Sequence, residues 1–209
     1  SPFLYPAELD PKIVAVHTAR MKWVVKECNQ IICVSQNTAN DLKRLFGVKD
    51  DRIKVILEAL PQRYQLQPQV TKYVNYLVTI GARQPRKNTA RLISAFANYK
   101  SKYNLPPKLI VVGEYFRNSA SPDVVFTGYV PDQQLVNLLA GARAFVFPSL
   151  HEGFGLPILG AFHHGVPVAC SNTSSLPEVA GDAAMYFDPQ NEEDMAQAIS
   201  QAITNREIL

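Results

Sequence analysis

Short apolar runs alternate with amphipathic stretches along most of the chain. Residues 11–27 place apolar side chains at helical spacing, and residues 37–46 are amphipathic with a glycine just beyond them, so both predict helices. The β-rich runs at 30–35 and 52–57 predict strands. The first part of the chain is therefore predicted as helix, strand, helix and strand, which is one crossover unit of a parallel sheet. Two strands make a poor domain on their own.

Residues 61–72 interrupt this pattern, because they are polar and contain two prolines and four glutamines, and we predict a linker there. From residue 73 short apolar runs return, with helical patterns between most of them. The predicted helices cover 89–100, 132–140, 156–164 and 192–203, and the predicted strands cover 76–80, 108–112, 124–126, 144–147, 166–169 and 184–187.

The strand runs after residue 73 are almost continuously apolar. Such runs are typical of a parallel sheet whose two faces are both covered by helices. We therefore predict an α/β fold with a doubly wound parallel sheet in residues 73–209. Ligands of this fold bind at the carboxyl ends of the strands, so the loops at that edge are the candidate site.

Composition narrows the class of protein. The chain is 47% hydrophobic and 19% charged, which predicts a folded core, and a net charge of +3 is too small to indicate nucleic-acid binding. Cys28, Cys33 and Cys170 match no metal-ligand spacing and are predicted to be buried free thiols in a reducing compartment. The sequence shows no signal peptide and no long apolar span, so we predict a cytoplasmic location. It opens without an initiator Met, so we expect a fragment or a processed piece.

One stretch, residues 147–167, combines a buried strand end, a glycine-spaced loop and a helix start. The first amides of a helix lack internal partners, and the helix dipole adds partial positive charge there, so this arrangement is typical of anion binding. Gly153 and Gly155 have no side chain to block an approaching phosphate. Gly160 lies in the middle of the predicted helix, where glycine costs about 1 kcal/mol relative to alanine.

Charged side chains near these loops each allow two interpretations. Arg83, Arg86 and Lys87 follow a predicted strand and form either a phosphate clamp or a basic surface loop. Glu152 either complements the helix dipole or accepts hydrogen bonds from ligand hydroxyls. A clamp and a carboxylate together favour a ligand with both a phosphate and a polyol. The histidines at 151, 163 and 164 lack metal-binding spacing, so no metal site is predicted.

Several pieces carry a family likeness: IICVSQNTANDLKRLFGVKDDRIKVI, GARQPRKNTARLISAF, LIVVGE, and the run from VVFTGYVPDQQ through FPSLHEGFGLPILGAFHHGVP to AAMYFDP. With the final helix they cover most of the chain. They resemble the retaining glycosyltransferases of family four, group one, which have two Rossmann domains in the GT-B architecture. The resemblance implies a remnant of the acceptor-side domain in 1–60, a linker in 61–72, and a domain in 73–209 that binds a nucleotide-sugar donor.

The resemblance also implies roles for individual residues. Catalytic roles fall on Glu152, Lys87 and Arg83, with the two cations holding the donor diphosphate and Glu152 contacting the donor sugar. The position of Arg83 departs from the family pattern, because the family arginine usually follows the glycine directly and Ala82 stands there. The full implied donor-binding set is Gly81, Arg83, Lys87, Tyr129, Val130, Glu152, Gly153, Phe154, Gly155, Leu156 and Gly160, in which Tyr129 and Val130 lie nearest the base.

The implied reaction is sugar transfer with retention from a GDP- or UDP-sugar, GDP-mannose being preferred, to a glycan or lipid acceptor in polysaccharide biosynthesis. Neither a metal ion nor another cofactor is implied. The second Glu of the family's motif falls at Gly160. Losing its charged hydrogen bonds to ribose, roughly 1.5–3 kcal/mol, is expected to weaken donor binding about tenfold to a hundredfold or more.

The chain also begins partway through the first domain of the family, so we expect it to be inactive, or nearly so, on its own. Peripheral membrane association through the region before Ser1 and self-association through an exposed cleft are further expectations. The alternative is a different class of protein: a non-catalytic interaction module, or a decayed remnant of a glycosyltransferase.

Overall fold

The computed structural model describes residues 3–69, 75–81, 84–106, 108–114 and 121–208, with side chains described as far as residue 204. The chain divides into two compact units, Ser1–Glu58 and Ala59–Leu209. We call them unit 1 and unit 2.

Unit 1 has the predicted order of helix, strand, helix and strand. Its elements are α1 (Pro11–Glu27), β1 (Ile31–Cys33), α2 (Gln36–Phe46) and β2 (Ile53–Val55). The Ser35 side chain accepts a hydrogen bond from the Thr38 amide and caps α2, and Gly47 ends that helix in the left-handed conformation. The two strands pair in parallel, with Ile31 opposite Ile53. A small core of Cys33, Ala39, Leu42 and Val48 lies beneath them.

Unit 2 alternates strands and helices through almost its whole length. In chain order its elements are β3 (Tyr76–Ile80), α3 (Thr89–Tyr99), β4 (Lys108–Val112), β5 (Val124–Phe126), α4 (Asp132–Ala140), β6 (Ala144–Phe147), α5 (Leu156–His163), β7 (Val168–Ser171), α6 (Leu176–Ala180), β8 (Ala184–Phe187) and α7 (Glu192–Ile208).

The six strands of unit 2 form one parallel sheet in the order β5-β4-β3-β6-β7-β8. The strand order reverses between β3 and β6, which are direct neighbours although β4, β5 and two helices separate them in the chain. The predicted α/β doubly wound sheet is confirmed. A crevice at the carboxyl ends of β3 and β6 is the position where this fold binds ligands.

In unit 1, β1 and β2 are shorter than the predicted runs at 30–35 and 52–57. In unit 2, three elements differ from the prediction by more than one residue. Strand β7 was expected at 166–169 but runs from Val168 to Ser171. Pro167 has no amide hydrogen for the ladder and only accepts, from the Phe145 amide at 2.9 Å, so pairing begins after it. The short helix α6 begins directly after the run at 173–175, which was expected to be a loop ending in a helix N-cap segment, and α7 continues beyond residue 203 to Ile208.

Residues 61–69, expected to be part of a linker, pack within unit 2. They contain a 3₁₀ turn, Gln62–Gln65, and the Tyr64 ring is only 2% exposed. The Gln69 amide donates to Asn137 Oδ1 at 2.8 Å, and Gln133 Nε2 donates to the Gln67 carbonyl at 2.9 Å, so α4 holds the segment. We call residues 60–69 the docked segment. Residues 70–72, also expected to belong to the linker, lie outside the described residues.

All three cysteines are free, with Cys33 and Cys170 buried and Cys28 half-buried. Among the helices that the structure describes, none combines the length and the apolar character needed to cross a membrane.

Candidate functional site

Two loops meet at the carboxyl ends of β3 and β6. The first follows Ile80 and ends in a 3₁₀ turn, Pro85–Lys87. The second follows Phe147 and runs to the start of α5. The Leu150 amide of the second loop donates to the Arg86 carbonyl of the first at 2.8 Å. A backbone hydrogen bond therefore fixes the two loops together at the strand-order reversal.

An ion cluster joins the side chains of these loops. Glu152 Oε1 lies 2.7 Å from Lys87 Nζ and 3.0 Å from Arg86 Nη1, and the three side chains are 12%, 16% and 20% exposed in that order. Arg86 Nη1 also donates to the His151 carbonyl at 3.0 Å. The Lys87 ammonium lies 5.0 Å from the centre of the Phe147 ring. One carboxylate of the second loop is thus held by two cations of the first.

The cluster changes the acidity of its members. Burial by itself would raise the pKa of Glu152, but Lys87 and Arg86 outweigh burial and lower the pKa below its usual value. Burial lowers the pKa of Lys87, because the contact with Glu152 offsets desolvation only in part and Arg86 repels a second positive charge. Glu152 is therefore ionised at neutral pH and accepts hydrogen bonds.

Gly81 makes room for the lysine. Its φ of +92° lies in the region that favours glycine, and a Cβ at this position would lie 3.0 Å from Lys87 Cε and 3.2 Å from Lys87 Cδ. The lysine stem therefore lies against the glycine backbone, and an added Cβ would press on it. Gly81 is the first residue after β3, and it borders the stem of the lysine that reaches Glu152.

A cavity of about 530 Å³ lies beside the cluster, and its lining residues are Gly81, Gln84, Arg86, Lys87, Gly113, Glu114 and Tyr129. The Gly113 amide, just after β4, donates to the Gly128 carbonyl at 3.0 Å and joins the loops that follow β4 and β5. Tyr129 is 85% exposed, whereas Val130 is buried. The lining of the cavity therefore includes two cations and an exposed aromatic ring.

Residues after β7 hold the second loop in place. The Glu152 amide donates to Ser174 Oγ at 3.0 Å, and the Ser175 hydroxyl lies 2.6 Å from the Phe154 carbonyl and 3.0 Å from the Glu152 carbonyl. Thr173 Oγ1 donates to the Leu150 carbonyl at 3.2 Å. From the sequence this Ser/Thr run is expected to be a loop that ends in a helix N-cap segment, with no predicted contact to the second loop. Its hydroxyl-rich composition between a strand and Pro177 was the signal that could have identified it as a support.

The start of α5 has the expected form. Gly155 has φ +123°, and a Cβ there would lie 3.1 Å from Leu176 Cδ2, so glycine is required by both conformation and space. Pro157 lies in the first turn, and no side chain caps this helix end. Phe154 is buried, Leu156 is half-buried and Gly153 is exposed. This helix terminus therefore keeps the backbone arrangement that suits an anion.

Gly160 lies in a different environment. It is buried, and a Cβ there would lie 2.4, 2.8 and 2.9 Å from ring atoms Cδ1, Cε1 and Cγ of Tyr64. The lining of the cavity described above includes neither residue. The structure therefore places the docked segment directly against the position where the family resemblance implies a second carboxylate.

The structure brings together only part of the predicted set. Gly81, Lys87 and Tyr129 line the cavity, and Glu152 pairs with Lys87. Arg83 lies outside the described residues, and Arg86 supplies the second cation at Glu152. Val130 is buried next to Tyr129 in the chain, and residues 153–156 form the loop end and helix start next to Glu152.

Within the described ranges, no group of three or more His, Cys, Asp or Glu side chains could hold a metal ion.

The strand order and the basic cavity at its reversal are typical of nucleotide-binding α/β domains. The family model described as Glycosyl transferases group 1 matches residues 62–209, and the one described as Glycosyltransferase Family 4 matches residues 4–59. The chain belongs to the group 1 glycosyltransferase family, which confirms the resemblance.

Among its relatives, the chain is 36% identical over 199 residues to O-antigen chain mannosyltransferase B of Escherichia coli, covering 83% of this chain and 51% of the relative. It is 28% identical over 208 residues to O-antigen chain mannosyltransferase RfbU of Salmonella typhimurium, covering 95% of this chain and 57% of the relative. The chain thus spans about half the length of the curated relatives it matches.

The solved structure of Anabaena HepE in complex with UDP and glucose superimposes with a TM-score of 0.72 at 20% identity, covering 98% of this chain and 61% of that one. At this level of identity the likeness shows a shared fold.

Proposed function

We propose that unit 2 binds the nucleotide diphosphate sugar donor of a retaining mannosyltransferase. The observation that carries the proposal is the ion cluster of Lys87, Arg86 and Glu152 beside a cavity of about 530 Å³ at the strand-order reversal. Two cations that face a cavity at this edge are suited to a diphosphate, and a carboxylate beside them is suited to sugar hydroxyls. The family membership supports the same assignment.

In the proposed complex the diphosphate lies between the Lys87–Arg86 pair and the helix start at residues 154–156. The exposed Tyr129 ring, which also lines the cavity, offers a surface for the base. Glu152, ionised at neutral pH, accepts hydrogen bonds from the sugar. Arg83 remains a proposed second arginine of the clamp.

During transfer the bond between the anomeric carbon and the diphosphate oxygen breaks, and a bond to an acceptor hydroxyl oxygen forms on the same face of the sugar. The proton of that hydroxyl passes to the departing diphosphate. Negative charge grows on the departing diphosphate, so cations already fixed near it stabilise the transition state more than the ground state. Lys87 and Arg86 are fixed before the donor arrives, because Glu152 and the His151 carbonyl hold them. We propose no resident metal ion or other cofactor.

The donor sugar is proposed to be mannose, carried by GDP or UDP with GDP preferred, and the acceptor to be a growing cell-surface glycan or its lipid carrier. The Escherichia coli and Salmonella relatives are O-antigen chain mannosyltransferases, which supports mannose and a polysaccharide. The HepE structure contains UDP and glucose, which supports a nucleotide as a ligand of this fold. A cytoplasmic location, where nucleotide sugars are made, and a peripheral contact with the membrane belong to the same proposal.

Calorimetric titration of the chain with GDP, UDP and ADP tests donor binding. We expect GDP or UDP to bind with a micromolar to millimolar dissociation constant, because a diphosphate and a base make several charged and stacking contacts. Absence of binding by all three nucleotides at millimolar concentration would overturn the assignment.

A second candidate, a non-catalytic interaction module, is favoured by one observation in unit 1. Three large apolar side chains of α1 are exposed at helical spacing, and they are Ile13, Val16 and Trp23. An exposed apolar stripe on a helix is typical of a surface that binds another protein. Nucleotide binding at unit 2 distinguishes the two candidates, since the module needs none.

A further inference from the structure

We infer that Tyr64 and Gly160 form a packing lock that fixes the docked segment on α5 and leaves no room for a side chain at residue 160. The inference rests on the proposed function in one respect, because it implies that the donor is bound without a carboxylate from this position. In this arrangement Tyr64 positions the docked segment, and its ring packs directly against Gly160.

The first observation that supports the lock is how closely the Tyr64 ring approaches residue 160. Three atoms of the Tyr64 ring lie within 2.9 Å of the place that a Cβ of residue 160 would occupy. One of these atoms is Cγ, which is tied closely to the tyrosine backbone, so the ring cannot yield as the end of a long flexible side chain can. The ring is also buried in the same apolar cluster as Ile158, Ala161 and Leu139.

The second support is that the segment is held on both sides of the tyrosine. The Tyr64 amide donates to the Pro61 carbonyl at 3.0 Å, and Gln65 Nε2 donates to the Leu60 carbonyl at 3.0 Å, which closes the turn. Further along, α4 binds the backbone of Gln67 and Gln69. The turn is fixed by its own hydrogen bonds, and the residues after it are fixed to α4. The Tyr64 ring is therefore held in one position, against Gly160.

The lock reverses the sign of the stability change that is expected when a glycine within a helix is replaced by alanine. Replacing a mid-helix glycine by alanine usually stabilises a protein by about 1 kcal/mol. At Gly160 the added methyl group overlaps the Tyr64 ring, and forcing atoms into a packed contact destabilises a core. A carboxylate at 160 adds the cost of burying a charge against an aromatic ring.

The test is a double-mutant cycle with G160A, Y64A and the double variant, measured by thermal unfolding of the whole chain. We expect G160A to lower the melting temperature by roughly 2–10 °C, since overpacking of this kind shifts it by that much in a chain of this size. In the Y64A background the same change is expected to be neutral or to raise the melting temperature. A G160A chain as stable as the wild type, or an equal cost in both backgrounds, overturns the lock.

Limited trypsin digestion separates release of the docked segment from global unfolding, because release speeds cleavage after Arg63 alone, whereas unfolding speeds cleavage at lysines and arginines throughout the chain. Arg63 is exposed and adjoins the lock, so release of the docked segment is expected to speed cleavage after Arg63 at least tenfold in Y64A and G160A. Y64F keeps the ring and is expected to remain protected. Y129A removes a tyrosine that is largely exposed and serves as the matched control. Equal cleavage rates at Arg63 in all variants contradict the inference.

Nucleotide titration of G160E and of Y64A/G160E separates the lock from the proposed function. We expect neither glutamate variant to bind GDP or UDP more tightly than its parent. A gain of tenfold or more in G160E, with the melting temperature unchanged, overturns the lock and makes residue 160 a donor contact. If the wild-type chain binds no nucleotide, the donor proposal fails, while the unfolding cycle and the trypsin digestion still decide the lock.

Discussion

The Lys87 ammonium lies 2.7 Å from the Glu152 carboxylate, although 65 residues separate them in the chain. One residue follows β3 and the other follows β6, and these strands are neighbours only because the sheet reverses its order between them. The pair therefore stands at the one place in a doubly wound sheet where two loops diverge and leave a crevice. Arg86 completes the cluster on the same carboxylate oxygen.

Replacing Lys87 by alanine is expected to weaken nucleotide diphosphate binding about tenfold to a hundredfold. The physical reason is the loss of a charge-assisted hydrogen bond worth roughly 1.5–3 kcal/mol. Calorimetry with GDP and UDP measures the change. The matched control is K102A, which removes an exposed lysine paired with Glu193 away from the cavity and is expected to leave affinity unaltered. Unaltered affinity in K87A would remove Lys87 from the proposed clamp.

Replacing Glu152 by glutamine is expected to lower the free energy of unfolding by about 1–3 kcal/mol near neutral pH, because two partly buried cations lose their counter-charge. The pKa of Glu152 is lowered in the folded state, so its contribution is complete above the ordinary value of 4.5 and is lost as pH falls through the folded value. The difference between wild type and E152Q should therefore shrink below about pH 4.5.

Urea denaturation followed by circular dichroism between pH 3 and pH 7 measures this dependence. E58Q, at an exposed glutamate of unit 1, is the control and should follow the wild type at every pH. A difference between wild type and E152Q that stays constant down to pH 3 would show that the carboxylate is not held by the two cations.

Replacing Gly81 by alanine is expected to destabilise unit 2 by about 1–2 kcal/mol and also to weaken nucleotide binding. The positive φ disfavours a Cβ, and that Cβ would press on Lys87 Cε at 3.0 Å. Gly165 is the matched control, since its φ is +64° but no atom lies within 4 Å of the added Cβ. Thermal unfolding and calorimetry on both variants should show a stability loss in each and an affinity loss in G81A alone. Equal affinity losses would contradict the role given to Gly81.

The buried cysteines are expected to resist alkylation in the folded chain. Burial raises the pKa of the Cys170 thiol to about 12, and it also raises the pKa of Cys33. At pH 8 the reactive thiolate of Cys170 is then on the order of one molecule in ten thousand. Pulse labelling with iodoacetamide and mass spectrometry should modify the half-buried Cys28 first. Rapid labelling of Cys170 without denaturant would show that the core of unit 2 opens easily.

Self-association is expected to depend on the exposed face of α1. Trp23 is 62% exposed, and replacing it by serine removes the largest apolar side chain of that face. Light scattering over a range of concentrations should show wild-type association that W23S reduces, while K22A, at the neighbouring exposed lysine, leaves it unchanged. A wild-type chain that stays monomeric at high concentration would count against the interaction module.

The periodicity of apolar residues was sufficient to predict most of the helices and strands. Strands β3, β4, β5, β6 and β8 have the predicted bounds, because buried strands read as uninterrupted apolar runs whatever their neighbours are. The prediction failed where a local feature competed with the pattern. Pro167 delayed the start of β7. The docked segment looked like a linker because it is rich in glutamine and proline, and its one buried ring gives no periodic pattern.

The sequence by itself determined the family, the doubly wound sheet, and Lys87 and Glu152 as separate donor-binding candidates, because each depends on local motif and pattern or on residue type at a strand end. Only the tertiary structure decided that these two side chains meet, that Arg86 shares their contact, and that Tyr64 lies on Gly160. Such contacts depend on strand order and on the packing of distant segments, and a one-dimensional pattern does not encode distances between residues far apart in the chain.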